Sequence, residues 1–187
     1  MKNTLVFKIT LASIFIMLGD KVYSQARNNI GFGYGINKPL SGDYESAKGF
    51  VLQGTIAINN KIAIVPAIGY ERLAADKLSY YGQPYNSGNI TGSDLIYLGI
   101  SGRYNLYNNF FAKAGPILYA AGGNEDLSNA GIGGIGALVY NLDLDNHSTL
   151  EFSVNTAIVN VPPHAGNGTT SIASFKVAYA FNFRRLN

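Results

Sequence analysis

Asn29-Ile-Gly-Phe-Gly-Tyr-Gly-Ile-Asn-Lys38 alternates without exception. Ile30, Phe32, Tyr34 and Ile36 fall on one face, and Asn29, Gly31, Gly33, Gly35 and Asn37 on the other. A period of two belongs to an extended strand, in which successive side chains point to opposite sides; a helix would repeat its apolar residues at three and four. One face is wholly apolar and the other small or polar, so the strand separates two different environments.

The same rhythm recurs along the chain. Phe50, Leu52, Ile56 and Ile58 oppose Val51, Gln53, Thr55 and Ala57 in a segment from Gly49 to Asn59. Lys61 to Arg72, Ser148 to Val159 and Ser171 to Phe183 repeat the pattern. Three further segments, Ser93 to Tyr104, Phe110 to Tyr119 and Ala130 to Tyr140, are blurred by Gly, Ala and apolar residues on both faces, and are read as strands too. Between the segments, short Asn- and Asp-rich connections (Asn59 to Lys61, Asn105 to Asn109, Asn141 to His147) alternate with longer polar ones. The longer links are Pro39 to Lys48, Leu73 to Gly92, Ala120 to Asn129 and Asn160 to Thr170. Alternating short and long connections between strands with one apolar face is the pattern of an outer-membrane barrel, with tight periplasmic turns and longer extracellular loops. The expected fold is therefore all-β: an eight-stranded antiparallel up-and-down transmembrane β-barrel, with both termini in the periplasm. Pro66 and Pro116 fall inside strands, where a missing N–H predicts a β-bulge or an early exit from the ladder.

The composition agrees. Only 13% of the 187 residues are charged, about half the usual share for a soluble domain, yet no run reaches the roughly 20 apolar residues of a membrane helix. Lys2 and Lys8 precede a ten-residue apolar run, Ile9 to Leu18, and Val22-Tyr23-Ser24 places small or modest residues before Gln25. This is the layout of an export signal, expected to span residues 1–24 and leave 25–187 as the outer-membrane barrel domain. Without that segment 11 basic and 10 acidic residues remain, scattered along the chain. No basic cluster suits nucleic acid. There is no Cys, hence no disulfide framework.

If the apolar faces meet lipid, charges within strands must point inward, because a Lys or Arg facing mid-bilayer costs about 2–4 kcal/mol. Glu71, Arg103, Lys113, Glu151 and Lys176 all share the inward phase of their strands. An eight-stranded barrel is just wide enough to be filled by side chains, so these five charges are expected to pair as a lumen network. Aromatics gather where interfacial girdles belong: Tyr104, Tyr107, Phe110, Tyr140, Phe181 and Phe183 toward the short turns, Tyr70 and Phe175 toward the long links.

The export signal, the Gly31-Phe-Gly-Tyr-Gly35 strand and the Lys113-Ala-Gly-Pro116 segment make the chain resemble the outer membrane protein beta-barrel domain family, the small OmpA- and OmpX-type barrels. The resemblance covers essentially all of residues 25–187 and implies the same eight-stranded fold. It implies no reaction, because the family shares none. The OmpA type carries a peptidoglycan-binding domain after its barrel, whereas only four residues follow Phe183 here.

Other motifs carry less. Gly131-Ile-Gly-Gly-Ile-Gly136 fits a dinucleotide fingerprint with Glu151 twenty residues on, but no strand precedes it and no helix is expected after it. His147 and His164 are the two histidines, too few and too separated for a metal site. His147 and Ser148 are adjacent and so face opposite ways, a poor nucleophile–base geometry; the alternative pairing is His164 with Ser171 or Glu71 at the outer rim. No catalytic residue, cofactor or metal is expected. Tyr80, Tyr81 and Tyr85 stand among Ser, Asn and Gly in the link from Leu73 to Gly92, a composition suited to a contact surface.

The first functional reading is a non-enzymatic integral barrel with a structural or interaction role through its extracellular loops. Its expected partners are outer-membrane lipid, the barrel assembly machinery during insertion, and an extracellular protein or glycan. The alternatives are a narrow channel or transport-related barrel, a lipid A-modifying enzyme, and a soluble lipocalin-like barrel with apolar faces turned inward.

Overall fold

The structure, a computed structural model, describes residues 27–40, 44–75, 93–123, 126–160 and 169–183. The segment 1–24, Tyr80, Tyr81, Tyr85 and His164 lie outside the described residues. Eight strands form the wall: β1 (Asn29–Pro39), β2 (Ala47–Ala57), β3 (Ile62–Ala75), β4 (Ser93–Tyr107), β5 (Phe110–Gly123), β6 (Asp126–Asp143), β7 (Ser148–Val159) and β8 (Thr170–Asn182). A two-residue strand, Tyr44–Glu45, adds to the far end of β3. Each strand pairs antiparallel with its sequence neighbours, and β1 pairs with β8 from Asn29–Asn182 to Pro39–Ile172, which closes the cylinder. Carried once round the barrel from Asn29, the registers return at Pro39, a stagger of ten residues. With eight strands such a stagger tilts them by about 40° from the axis.

The alternation read in the sequence decides which face is which. The apolar set points outward: Phe32 is 56% exposed, Ile100 61% and Leu118 58%. The polar set of the clean strands is buried: Asn37, Gln53, Thr55, Glu151, Ser153, Asn155 and Asn182. A soluble barrel of the lipocalin type is thereby ruled out, since it would bury the faces exposed here. Among the wall-strand side chains that the structure describes, the outward charges (Lys38, Lys48, Arg72 and Asp94) all sit at the end of the long connections. Below them the outer surface is an uncharged apolar belt, which water solvates poorly and lipid solvates well.

The tight turns use the chemistry their residues offer. Asn59 Oδ1 accepts the N–H groups of Lys61 and Ile62, each at 2.8 Å. Asn108 takes a left-handed φ of 45°, a conformation asparagine tolerates better than most residues. Asp145 Oδ1 accepts the His147 N–H at 2.6 Å. That bond is the main cause holding the exposed Asp145 carboxyl below the usual carboxylate range.

Two expectations are corrected. The link Ala120 to Asn129 is not a long loop: β5 continues to Gly123 and β6 begins at Asp126, so the two strands stay paired almost to their tip. Ala120 to Gly123 carry little alternation signal, and the polar Asp126, Ser128 and Asn129 look like loop residues, which masked this continuation. Nor does a bulge or early exit accompany either proline. Pro66 pairs with Ile100 in unbroken β3–β4 register, and the β2–β3 ladder skips two positions beside it and resumes unshifted at Ile56–Ile64. Pro116 pairs with Gly134 in β6 in the same way, and β4–β5 resumes at Gly102–Ala114. A strand residue directs its N–H to one neighbour alone, so a proline removes one bond from one of its two ladders and leaves the register intact. The register shifts that do occur lie between Asn105 and Tyr107 and between Ala121 and Gly123.

A filled lumen as the candidate functional site

The strands bring all five inward charges into the lumen, each 8% exposed or less, as two groups rather than one. In the first, Glu71 on β3 pairs with Lys176 on β8, and Asn37 Nδ2 on β1 donates to the other oxygen of Glu71 at 2.7 Å. Lys176 Nζ also donates to Tyr97 Oη at 3.3 Å. In the second, Arg103 on β4 meets Glu151 on β7 at 2.9 Å, and Gln53 Nε2 donates to the remaining Glu151 oxygen at 2.7 Å. Lys113 on β5 has no carboxylate partner among the described residues; its Nζ donates to Gln53 Oε1 at 3.1 Å. The Arg103 guanidinium lies 3.9 Å above the Phe111 ring, which stabilises a cation that burial would otherwise disfavour. Gln53 thus relays between an acid and a base. It was placed on the inward face by sequence, but nothing in its local sequence marks that role.

Beside the Glu71–Lys176 group and above the Arg103–Glu151 group, the lumen is apolar. Leu73, Leu95, Tyr97, Ile117 and Tyr119 pack with Ala121, Val159 and Ile172, and Ile135 and Ala157 rest against them. The sequence reading expected charge and small residues inside and missed this cluster. Its signal was the blur itself: Leu95, Tyr97, Ile117, Tyr119 and Ile135 occupy the inward phase of the three segments that looked apolar on both faces. The two tyrosines fit because glycine faces them. Tyr97 lies opposite Gly69, and an added Cβ there would meet its ring; Tyr119 lies opposite Gly131, where a Cβ would come within 2.6 Å of its hydroxyl. Gly131 to Gly136 therefore serves packing within β6, and no helix follows it. Tyr119 Oη also donates to the Asn160 carbonyl at 2.9 Å and accepts its N–H at 2.8 Å, tying the top of β5 to the end of β7.

Between the two polar groups and the apolar cluster a cavity of about 20 Å³ remains, bordered by Ser101, Lys113, Glu151, Ser153, Asn155 and Lys176 among others. That is room for roughly one water molecule. His147 lies exposed in the β6–β7 turn with its ring 6.5 Å from that of the outward-facing Phe181. Among the described residues no group of three His, Cys, Asp or Glu side chains could hold a metal ion.

A closed antiparallel cylinder of eight strands, apolar outside and polar or packed inside, is the fold of the small bacterial outer-membrane barrels. Neither a protein-family model nor a curated protein sequence matches this chain. Among solved structures it is similar to Neisserial surface protein A, NspA, with a TM-score of 0.62 and 15% identity over 83% of this chain and 97% of that one. It is similar to OprG from Pseudomonas aeruginosa at a TM-score of 0.54 and 12% identity, over 86% and 97% of the two chains. It is also similar to Ail, the attachment invasion locus protein of Yersinia pestis, in complex with the heparin analogue sucrose octasulfate, at a TM-score of 0.51 and 10% identity over 86% and 100%.

Proposed function

We propose that this chain is a non-enzymatic integral outer-membrane protein that acts through the connections at the extracellular end of its barrel. The observation that carries the reading is the filled lumen. An apolar cluster and two ion-paired groups leave a cavity of about 20 Å³, too small to pass a solute. Among the described residues, the two buried glutamates, Glu71 and Glu151, are both engaged by cations, so neither stands ready as a base for an incoming substrate. We assign recognition to the extracellular side, with Tyr80, Tyr81 and Tyr85, from the sequence that joins β3 to β4, as the contact surface. That Ail, a barrel of the same fold, takes sucrose octasulfate supports a role in contacting sulfated or otherwise anionic glycans.

The test displays the full chain on cells and compares it with a variant in which residues 76–92 are replaced by a short Gly-Ser bridge. Heat-dependent mobility in SDS reports that each barrel is folded. Binding to a glycan and matrix-protein array should fall strongly in the variant. Equal binding by both would remove this connection from the function, and single-channel conductance of the intact protein would favour the transport reading instead.

A further inference from the structure

Among the described side chains, the outward charges are not spread around the rim. Lys38 on β1, Lys48 on β2 and Arg72 on β3 are exposed and stand on three adjacent strands at the extracellular end of the apolar belt. Lys48 lies opposite Ile36, two residues before Lys38, and the pairing of Gly49 with Glu71 makes Arg72 its next cross-strand neighbour. Lys48 is therefore central, with a cation on each side at cross-strand distances of about 5–8 Å. Among the described wall-strand residues, the one acid on the outward face nearby, Asp94, sits opposite Arg72 and accepts the Tyr70 hydroxyl at 2.6 Å. Exposed Glu45 lies one step further out, in the short strand beside Ala74. Across the barrel, the outward rim positions of β5 to β8 hold Ala120, Ile132, Ile158 and Ser171, with no charge among them.

Directly below the three cations, the same three strands carry a contiguous aromatic surface. Phe50 on β2 contacts Phe32 (centroids 6.0 Å), Tyr34 (5.2 Å) and Tyr70 (6.4 Å). A cationic row on top of an aromatic, lipid-facing step has two-part chemistry: it suits a molecule with anionic groups at the membrane surface and apolar chains beneath. We propose that Lys38, Lys48 and Arg72 dock the phosphate groups of a phosphorylated glycolipid of the outer leaflet, with the Phe50-centred aromatics against its sugar and upper acyl region. The proposal rests on the outer-membrane reading above and adds a lipid site to it. Charge attraction supplies part of the binding, so the contact weakens with salt.

The folded barrel, in an uncharged detergent, is titrated with bisphosphoryl lipid A, its dephosphorylated form and inorganic phosphate, with binding read by native mass spectrometry. The intact protein should bind the phosphorylated lipid roughly tenfold or more tightly than does the triple variant Lys38→Gln, Lys48→Gln, Arg72→Gln. Lys48→Gln alone should give a partial loss, and Lys61→Gln, at the opposite end, none. Dephosphorylated lipid should bind intact and triple-variant protein alike. Equal binding of bisphosphoryl lipid A by both proteins would overturn the site, and competition by inorganic phosphate at equal affinity would make it a free-anion site rather than a lipid one. Heat-dependent mobility of every variant separates the two readings. A folded triple variant that binds normally ends this proposal alone, whereas an intact protein with no mobility shift ends the barrel reading beneath it.

Discussion

Glu151 sits between Arg103, which it meets at 2.9 Å, and Gln53, which passes the Lys113 ammonium on to it. One carboxylate thus offsets two cations in a space nearly closed to water. Glu151→Gln would leave both cations buried without an acid, a change that costs about 3–5 kcal/mol in comparable buried pairs. Lys113→Met removes the cation with no carboxylate of its own and should cost far less, chiefly the donor lost by Gln53 Oε1. Urea midpoints of the two variants in detergent check this, and a Lys113→Met variant as unstable as Glu151→Gln would show that the lysine is paired after all. The inward direction of all five charges was legible from alternation alone, because a charge on the lipid face is so costly. Their division into two groups was not legible. Whether Lys113 reaches Glu151 or Glu71 depends on a stagger of ten residues, which no single strand encodes.

At the level of strands, the outer row Gly54, Pro66, Ile100, Pro116 and Gly134 runs across β2 to β6 and holds both interruptions of the ladder. Each proline withholds an N–H from one neighbour, within the apolar belt where no water can replace it. Pro116→Ala should restore a donor toward Ile100 in β4 and stabilise the barrel by about 0.5–1.5 kcal/mol, read as a higher urea midpoint. A lower midpoint would mean that the proline ring packs better than the recovered bond compensates. The five clean strands were read to within three residues at either end, since β-branched and aromatic residues alternate there with small polar ones. β5 was read short because Ala120, Ala121 and Gly122 give no phase, and β6 because Asp126, Ser128 and Asn129 at its start, and Asn141 and Asp143 at its end, look like turn residues. The extension of both strands toward a shared tip is a property of the pair, set by tyrosine on glycine across the ladder.

Closure of the whole cylinder sets what the lumen can hold. Eight strands staggered by ten residues bring Leu95, Ile117 and Ile172, from three strands, into one apolar cluster above the Arg103–Glu151 group. If that cluster is the barrier, the intact protein shows no conductance steps in a planar bilayer. Truncating its centre should then admit water down to the Lys113 and Lys176 ammonium groups. Ile117→Ala and Ile172→Ala would each remove buried apolar volume at a cost of about 2–5 kcal/mol, so the pair is measured only where heat-dependent mobility shows a folded barrel. Small conductance steps in the double variant, with preference for anions because the lumen charges sum to one net positive, would place the barrier at the apolar cluster. Silence in a folded double variant would move the barrier down to the Arg103–Glu151 group, where two cations, one carboxylate and the Phe111 ring fill the cross-section.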